Sequence, residues 1–123
     1  MNDKKILVVE DDLFLRDIYD ETLRRAGYNV QTAKDGREGL ERIKEGGWDL
    51  VLLDVLLPEI TGIEIMQQLK DVVLPKLNKA VVFLTNMDNP EEIEAMHKLG
   101  LEYLIKSDLT PPELLEKIKP FLS

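Results

Sequence analysis

The sequence predicts a doubly wound α/β domain: a five-stranded parallel sheet in the order 2-1-3-4-5, with five helices on both faces. Three observations predict it. Short apolar runs alternate with stretches of helical periodicity along the chain, the pattern of strand–helix units that build a covered parallel sheet. The first, third and fourth runs are the most apolar and belong in the middle, whereas the second and fifth are polar enough for edges. Right-handed crossovers then favour the order 2-1-3-4-5.

The elements follow in order. Lys5–Val9 is the first strand, and Asp12 can cap a helix with Leu15, Ile18, Tyr19, Thr22, Leu23 and Ala26 on its inner face. Gly27 supplies the left-handed stop. Asn29–Ala33 alternates as an edge strand should, and Asp35-Gly36-Arg37-Glu38 reads as a capping box. The short helix behind it turns Leu40 and Ile43 inward and ends at Gly46-Gly47. Leu50–Leu53 reads as a strand buried on both faces; such a run should not contain an acid, so Asp54 stands at its carboxyl end. Pro58 forbids further sheet pairing, and Thr61-Gly62-Ile63-Glu64 opens a helix running from about Gly62 to Leu69. Asp71–Lys79, with Pro75 and no clean period, is a loop. Ala80–Leu84 is the fourth strand and ends at Thr85-Asn86. Asn89-Pro90-Glu91-Glu92 opens a short helix that buries Ile93, Met96 and Leu99 and stops at Gly100. Glu102–Ile105 is the fifth strand, ending at Lys106. Thr110-Pro111-Pro112-Glu113 then caps a last helix with Leu114, Leu115, Ile118, Phe121 and Leu122 inward.

The 123 residues suit one domain with a single core, and no linker trails the fifth helix, which favours a free-standing protein. The absence of Cys excludes a disulfide framework, a thiolate zinc site and a cysteine nucleophile. No apolar run approaches the roughly 20 residues that span a bilayer, and no signal peptide opens the chain, so the expected location is cytoplasmic with no membrane partner. Sixteen basic residues stand against 24 acidic ones, a net charge of -8. Such a surface repels phosphate backbones, so direct nucleic-acid binding by this domain is not expected.

The strand ends carry the chemistry. In sheets of this order ligands sit outside the carboxyl ends at the switch between the first and third strands, where Glu10, Asp11 and Asp54 fall. Taken singly, each polar residue has an ordinary explanation: an acid that ends a strand, a turn Thr at 85, a solvated Lys at 106. Taken together they make a polar site. Three adjacent carboxylates repel and raise at least one pKa, a penalty that a hard divalent cation such as Mg²⁺ removes while offering a place for a phosphoryl oxygen. Lys106 supplies a positive charge and Thr85 a hydroxyl donor for the other phosphoryl oxygens. Asp54 is then the nucleophile that forms an aspartyl phosphate by in-line transfer.

Four features resemble the receiver domains of two-component response regulators: the acids in Val9-Glu10-Asp11, the block from Asp54 through Pro58 to Gly62, Thr85 after an apolar strand, and Tyr103-Leu104-Ile105-Lys106. The resemblance covers nearly the whole chain. The flavodoxin-like strand order is itself a receiver property and adds no independent support. The resemblance implies that Asp54 accepts a phosphoryl group from a sensor histidine kinase or phosphotransfer protein. It implies that Asp11, Asp54 and the Leu56 carbonyl ligate Mg²⁺, with Glu10 acting largely through water, and that Lys106 pairs with the phosphoryl group. Thr85 would move toward it and let Tyr103 turn inward, reshaping the fourth-helix and fifth-strand face for a downstream protein, a population shift biased by the new charge. The regulator would act as a monomer or weak homodimer, a switch rather than a turnover enzyme.

Three positions depart from the receiver pattern. Ser107 follows Lys106 where the family usually has Pro: either the loop bears a non-proline cis bond, costing roughly 2.5–4 kcal/mol, or the bond is trans and Lys106 approaches differently. Asn86 is bulky where a small residue is common, narrowing access. Leu56 and Met87 are apolar and poor at orienting water, which implies slow self-dephosphorylation. His97, the sole histidine, reads as a surface helix residue. The rivals are a haloacid-dehalogenase-type phosphatase, which wants a second Asp where Leu56 stands, and a dinucleotide-binding domain, which wants glycines where acids follow the first strand. A receiver-like interaction module that is never phosphorylated is the third.

Overall fold

The computed structural model describes residues 3–122. Its strands are β1 (Lys5–Val9), β2 (Asn29–Ala33), β3 (Leu50–Asp54), β4 (Val81–Thr85) and β5 (Glu102–Ile105). Its α-helices are α1 (Leu13–Arg25), α2 (Gly36–Glu45), α3 (Gly62–Leu69), α4 (Pro90–Leu99) and α5 (Pro111–Leu122). All pairings are parallel, in the order β2-β1-β3-β4-β5. The register positions the site. Val9 lies opposite Leu53, Asp54 opposite Leu84, and Thr85 opposite Ile105. Glu10, Asp54, Thr85 and Lys106 therefore step along one edge of the sheet.

Alternation along the strands divides the core into two layers. Leu7, Val9, Val51, Leu53 and Phe83 face Ile43, Ile65 and Met96 of α2, α3 and α4. Ile6, Val8, Leu52 and Leu84 face Tyr19 and Leu23 of α1 and Leu114 and Ile118 of α5. β1 and β3 are sealed on both sides, so their branched apolar runs cost nothing in exposure and drive the fold. Trp48, also buried, donates from Nε1 to the Arg42 carbonyl at 2.8 Å, which satisfies its polar atom and ties the α2–β3 connection back to α2.

The caps explain where the helices begin. Asp12, Asp35, Thr61, Asn89 and Thr110 each accept a backbone N–H from the first turn that follows. Thr61 and Glu64 form a complete reciprocal box, whereas Asp35 makes only its own half with Glu38. Three further details differ from expectation. Ala26 is exposed, because α1 ends at Arg25 and Gly27 (φ 95°) turns the chain away before Ala26 can face inward. β4 includes Thr85, which pairs with Ile105, and begins at Val81. A short 3-10 turn, Lys106–Asp108, follows β5, and no peptide bond among the described residues is cis, so Lys106 precedes Ser107 through a trans bond.

Candidate functional site

Glu10 continues the β1 ladder by one residue, its N–H donating to the Ala33 carbonyl at 3.1 Å, and its side chain is fully buried. The chain then turns sharply: Asp12 N–H donates to Glu10 Oε2 (3.2 Å), and Asp12 in turn caps α1 through Leu15 N–H (3.1 Å). Arg16, one turn into α1, donates to the carbonyls of Glu10 (3.0 Å) and Asp11 (3.4 Å). These bonds hold the acidic turn against the sheet.

Asp54 is 3% exposed at the end of β3. Val55 N–H donates to the Leu84 carbonyl and Gly62 N–H to the Val55 carbonyl, so the loop doubles back directly over the strand end. Gly62 is required there, since a Cβ would overlap the Asp54 carbonyl oxygen. Leu56 N–H donates to Asp54 Oδ1 (3.2 Å), while Lys106 reaches across from β5 and donates to Oδ2 (3.0 Å). The Lys106 Nζ also lies 2.7 Å from Glu10 Oε1. That second contact is close but poorly directed, leaving Oε1 buried without a well-aligned donor.

Charge balance follows from this packing. Glu10, Asp11 and Asp54 present carboxylate oxygens within 4.8 Å of one another, against the single ammonium of Lys106. Burial pushes the Glu10 carboxyl up, Asp54 beside it adds to the rise, and Lys106 opposes it. Burial alone would lower the Lys106 pKa, but the carboxylates of Glu10 and Asp54 outweigh it and the net shift is upward. An excess of buried negative charge and a carboxylate oxygen without an aligned donor fit a hard divalent cation, which takes oxygen ligands. Glu10, Asp11, Asp54, Leu56, Asn86, Lys106 and Ser107 are among the residues lining an open cavity of about 550 Å³ above this cluster.

The structure thus brings Glu10, Asp11, Asp54, Leu56 and Lys106 together. Thr85, though at the same sheet edge, does not line the cavity: its Oγ1 accepts from Met87 N–H (3.1 Å), and Met87 holds a left-handed φ of 62°. Tyr103 is half-buried against the layer of α2, α3 and α4. The sequence gives no sign of Arg16 as part of the site, nor of the close approach of Gly62 to the Asp54 carbonyl. In the sequence Gly62 signals a helix start and the end of the block from Asp54 through Pro58 but not this contact, and an Arg on a solvated helix face carries no local signal.

Comparison with known proteins agrees with this geometry. Residues 6–119 match the response regulator receiver domain family. The alkaline phosphatase synthesis transcriptional regulatory protein PhoP of Bacillus subtilis (strain 168) is 34% identical over 119 residues, 97% of this chain and 48% of that protein. The transcriptional regulatory protein ZraR of Escherichia coli (strain K12) is 40% identical over 104 residues, 82% of this chain and 22% of that protein. The chain spans about half the length, or less, of these curated relatives. Among solved structures, the CheY-like receiver domain protein of Methanospirillum hungatei JF-1 superposes with a TM-score of 0.84 at 30% identity, covering 98% of this chain and 94% of that one. Chemotaxis response regulator CheY4 of Vibrio cholerae gives a TM-score of 0.79 at 30% identity, covering 98% and 100%. Family, fold and strand-end acids converge, and the chain belongs to the receiver domains of two-component response regulators, a family of phosphoacceptor switches that generally bind Mg²⁺.

Proposed function

We propose that Asp54 is the phosphoryl acceptor of this receiver and that a histidine kinase or phosphotransfer protein is its donor. The observation that carries the reading is the placement of Asp54: almost wholly buried, lining an open cavity, with Oδ2 held by Lys106 and two further carboxylates beside it. Asp11, Asp54 and the Leu56 carbonyl would hold Mg²⁺, with Glu10 acting through water. When bound, the ion supplies positive charge for the phosphoryl oxygens and offsets the repulsion among the acids.

The chain's own groups do the rest. A carboxylate oxygen of Asp54 attacks phosphorus as the bond to the donor imidazole nitrogen breaks, and the electron pair leaves with that nitrogen. Lys106, already at Oδ2, neutralises charge on the phosphoryl group without reorganising. Thr85 exchanges its bond with Met87 N–H for a phosphoryl oxygen, loosening the β4–α4 loop. Tyr103 then turns inward and the α4–β5 face presents a new surface to a downstream protein, with the regulator a monomer or weak homodimer. The side chains of exposed Leu56 and half-buried Met87 are apolar and poor at orienting an attacking water, so the acyl phosphate hydrolyses slowly.

The test is intact mass after acetyl phosphate, with and without Mg²⁺, on wild type and Asp54→Asn. The expected result is a Mg²⁺-dependent gain of one phosphoryl group, roughly 80 Da, absent in the variant and persisting beyond a minute after the donor is removed. No gain in wild type would sink the reading in favour of an interaction module that is never phosphorylated. Loss within seconds would sink the slow-hydrolysis part alone.

A further inference from the structure

Arg16 sits where a helix does not ask for a cation. Its N–H makes the first helical bond of α1, to the carbonyl of the N-cap Asp12 at 2.9 Å. Side chains on a helix lean back toward its N-terminus, and a positive charge at that end opposes the helix dipole. No ion pair among the described residues includes Arg16. What the side chain finds there is two backbone acceptors: Nη1 donates to the carbonyls of Glu10 (3.0 Å) and Asp11 (3.4 Å).

Those carbonyls belong to the turn that presents the acids to the cavity. Glu10 is anchored without Arg16, since its N–H pairs with the Ala33 carbonyl (3.1 Å) and its side chain is fully buried. Asp54 is fixed as well, buried at the end of β3. Asp11 is different. It is exposed, it belongs to no strand or helix, and its one hydrogen bond among the described residues is the contact from Arg16. Its carboxylate nonetheless offers an oxygen within 4.8 Å of those of Glu10 and Asp54. Like charges so close repel, and Asp11 alone of the three has open solvent to turn into. By holding two successive carbonyls, the guanidinium fixes both peptide planes that flank Asp11 and so the direction in which its side chain leaves the chain.

We propose that Arg16 is a positioning residue for divalent-cation binding: through the Glu10 and Asp11 carbonyls it keeps the Asp11 carboxylate beside Glu10 and Asp54. The inference rests on the reading of these three acids as the Mg²⁺ site, but not on Asp54 as the phosphoryl acceptor. Its sign is opposite to that of plain electrostatics. A positive charge near a cation site repels the cation, so removing that charge alone would tighten binding. Removing a group that orders a ligand loosens binding, by about tenfold or more. Ordering dominates here, because the half-exposed guanidinium is screened by water while Asp11 has no other hydrogen bond to hold it.

The test is titration of the full chain with Mg²⁺ in the absence of any phosphoryl donor, followed through the amide shifts of residues 9–12 and 54–56. Arg16→Met should weaken Mg²⁺ affinity about tenfold although it removes a positive charge. Arg16→Lys keeps the charge, but its ammonium ends one bond short of Nη1, and its affinity should fall between those of wild type and Arg16→Met. In an Asp11→Asn background, Arg16→Met should change the affinity less than about twofold, because the residue it acts through is already disabled. Urea melts in chelator show whether each variant is folded. Unchanged or tighter binding by Arg16→Met, or an equal loss in the Asp11→Asn background, overturns the proposal and leaves the Mg²⁺ site standing. Were Arg16→Met not to fold, wild-type affinity in Arg16→Lys would overturn it equally. A wild type that binds no Mg²⁺ overturns both the site and its positioning residue.

Discussion

Replacing Lys106 with Met tests the electrostatics of the site. Met keeps an unbranched stem but removes the ammonium that lies 2.7 Å from Glu10 Oε1 and 3.0 Å from Asp54 Oδ2. Two buried carboxylates remain, with Asp11 close by. Removing one partner of a buried ion pair costs about 3–5 kcal/mol, because the charge left behind has neither water nor a counter-ion. The Lys106 side chain is 14% exposed and the cavity above it admits water, so the lower end, about 3 kcal/mol, applies. With a urea slope of about 2 kcal/mol/M the midpoint falls by about 1.5 M.

The pH dependence of that loss has a definite sign. Burial and Asp54 hold Glu10 above its ordinary 4.5, and the opposing pull of Lys106 is gone in the variant. Ionised Glu10 then penalises the fold fully above its folded pKa; the penalty shrinks as pH falls toward 4.5 and is gone below it, where folded and unfolded chains are both protonated. The destabilisation is therefore largest at neutral pH and shrinks toward pH 5. The wild-type stabilisation by Lys106, whose pKa is raised above 10.5, is complete below that value and disappears as pH climbs through the folded pKa. The assay is urea unfolding in chelator at both pH values, followed by the fluorescence of Trp48, the sole tryptophan, which is buried. Equal midpoints at neutral pH, or a loss that ignores pH, refutes the reasoning.

Three other substitutions probe the scaffold of the site. Gly62→Ala drives a methyl into the Asp54 carbonyl, so urea melts should show a loss of about 1–3 kcal/mol and phosphorylation should slow. Thr85→Val removes the acceptor for Met87 N–H and costs about 1 kcal/mol; the variant should still take up a phosphoryl group, while the amide shifts of Tyr103 no longer respond to it. Glu59 holds a left-handed φ of 69° and makes only an exposed pair with Arg37. Glu59→Gly should therefore raise stability by about 0.5–1 kcal/mol, since relief of strain exceeds the added freedom of the unfolded chain.

The fold was legible because its decisive signals are local. Buried runs such as Leu50–Leu53 could only be inner strands, and Asp12, Thr61 and Asn89 announced their helices through capping chemistry that acts within one turn. The acids and Lys106 were legible because each ends a strand, and parallel register carries strand ends to one edge. What escaped depends on approach between distant segments. The overlap that makes Gly62 obligatory exists only once α3 has folded back over β3. Arg16 acts on carbonyls whose direction is set by the turn itself. Likewise, the Thr85 side chain turned toward Met87 rather than the cavity reflects a loop conformation that residue order does not specify.

Three carboxylates share the site, so the most direct measurement is to locate the modification. After treatment with acetyl phosphate and Mg²⁺, the protein is digested under acidic conditions and its peptides are sequenced by tandem mass spectrometry. The phosphoryl mass should sit on Asp54 and nowhere else. Its appearance on Glu10 or Asp11, or on no residue at all, would contradict the assignment of Asp54 as the acceptor.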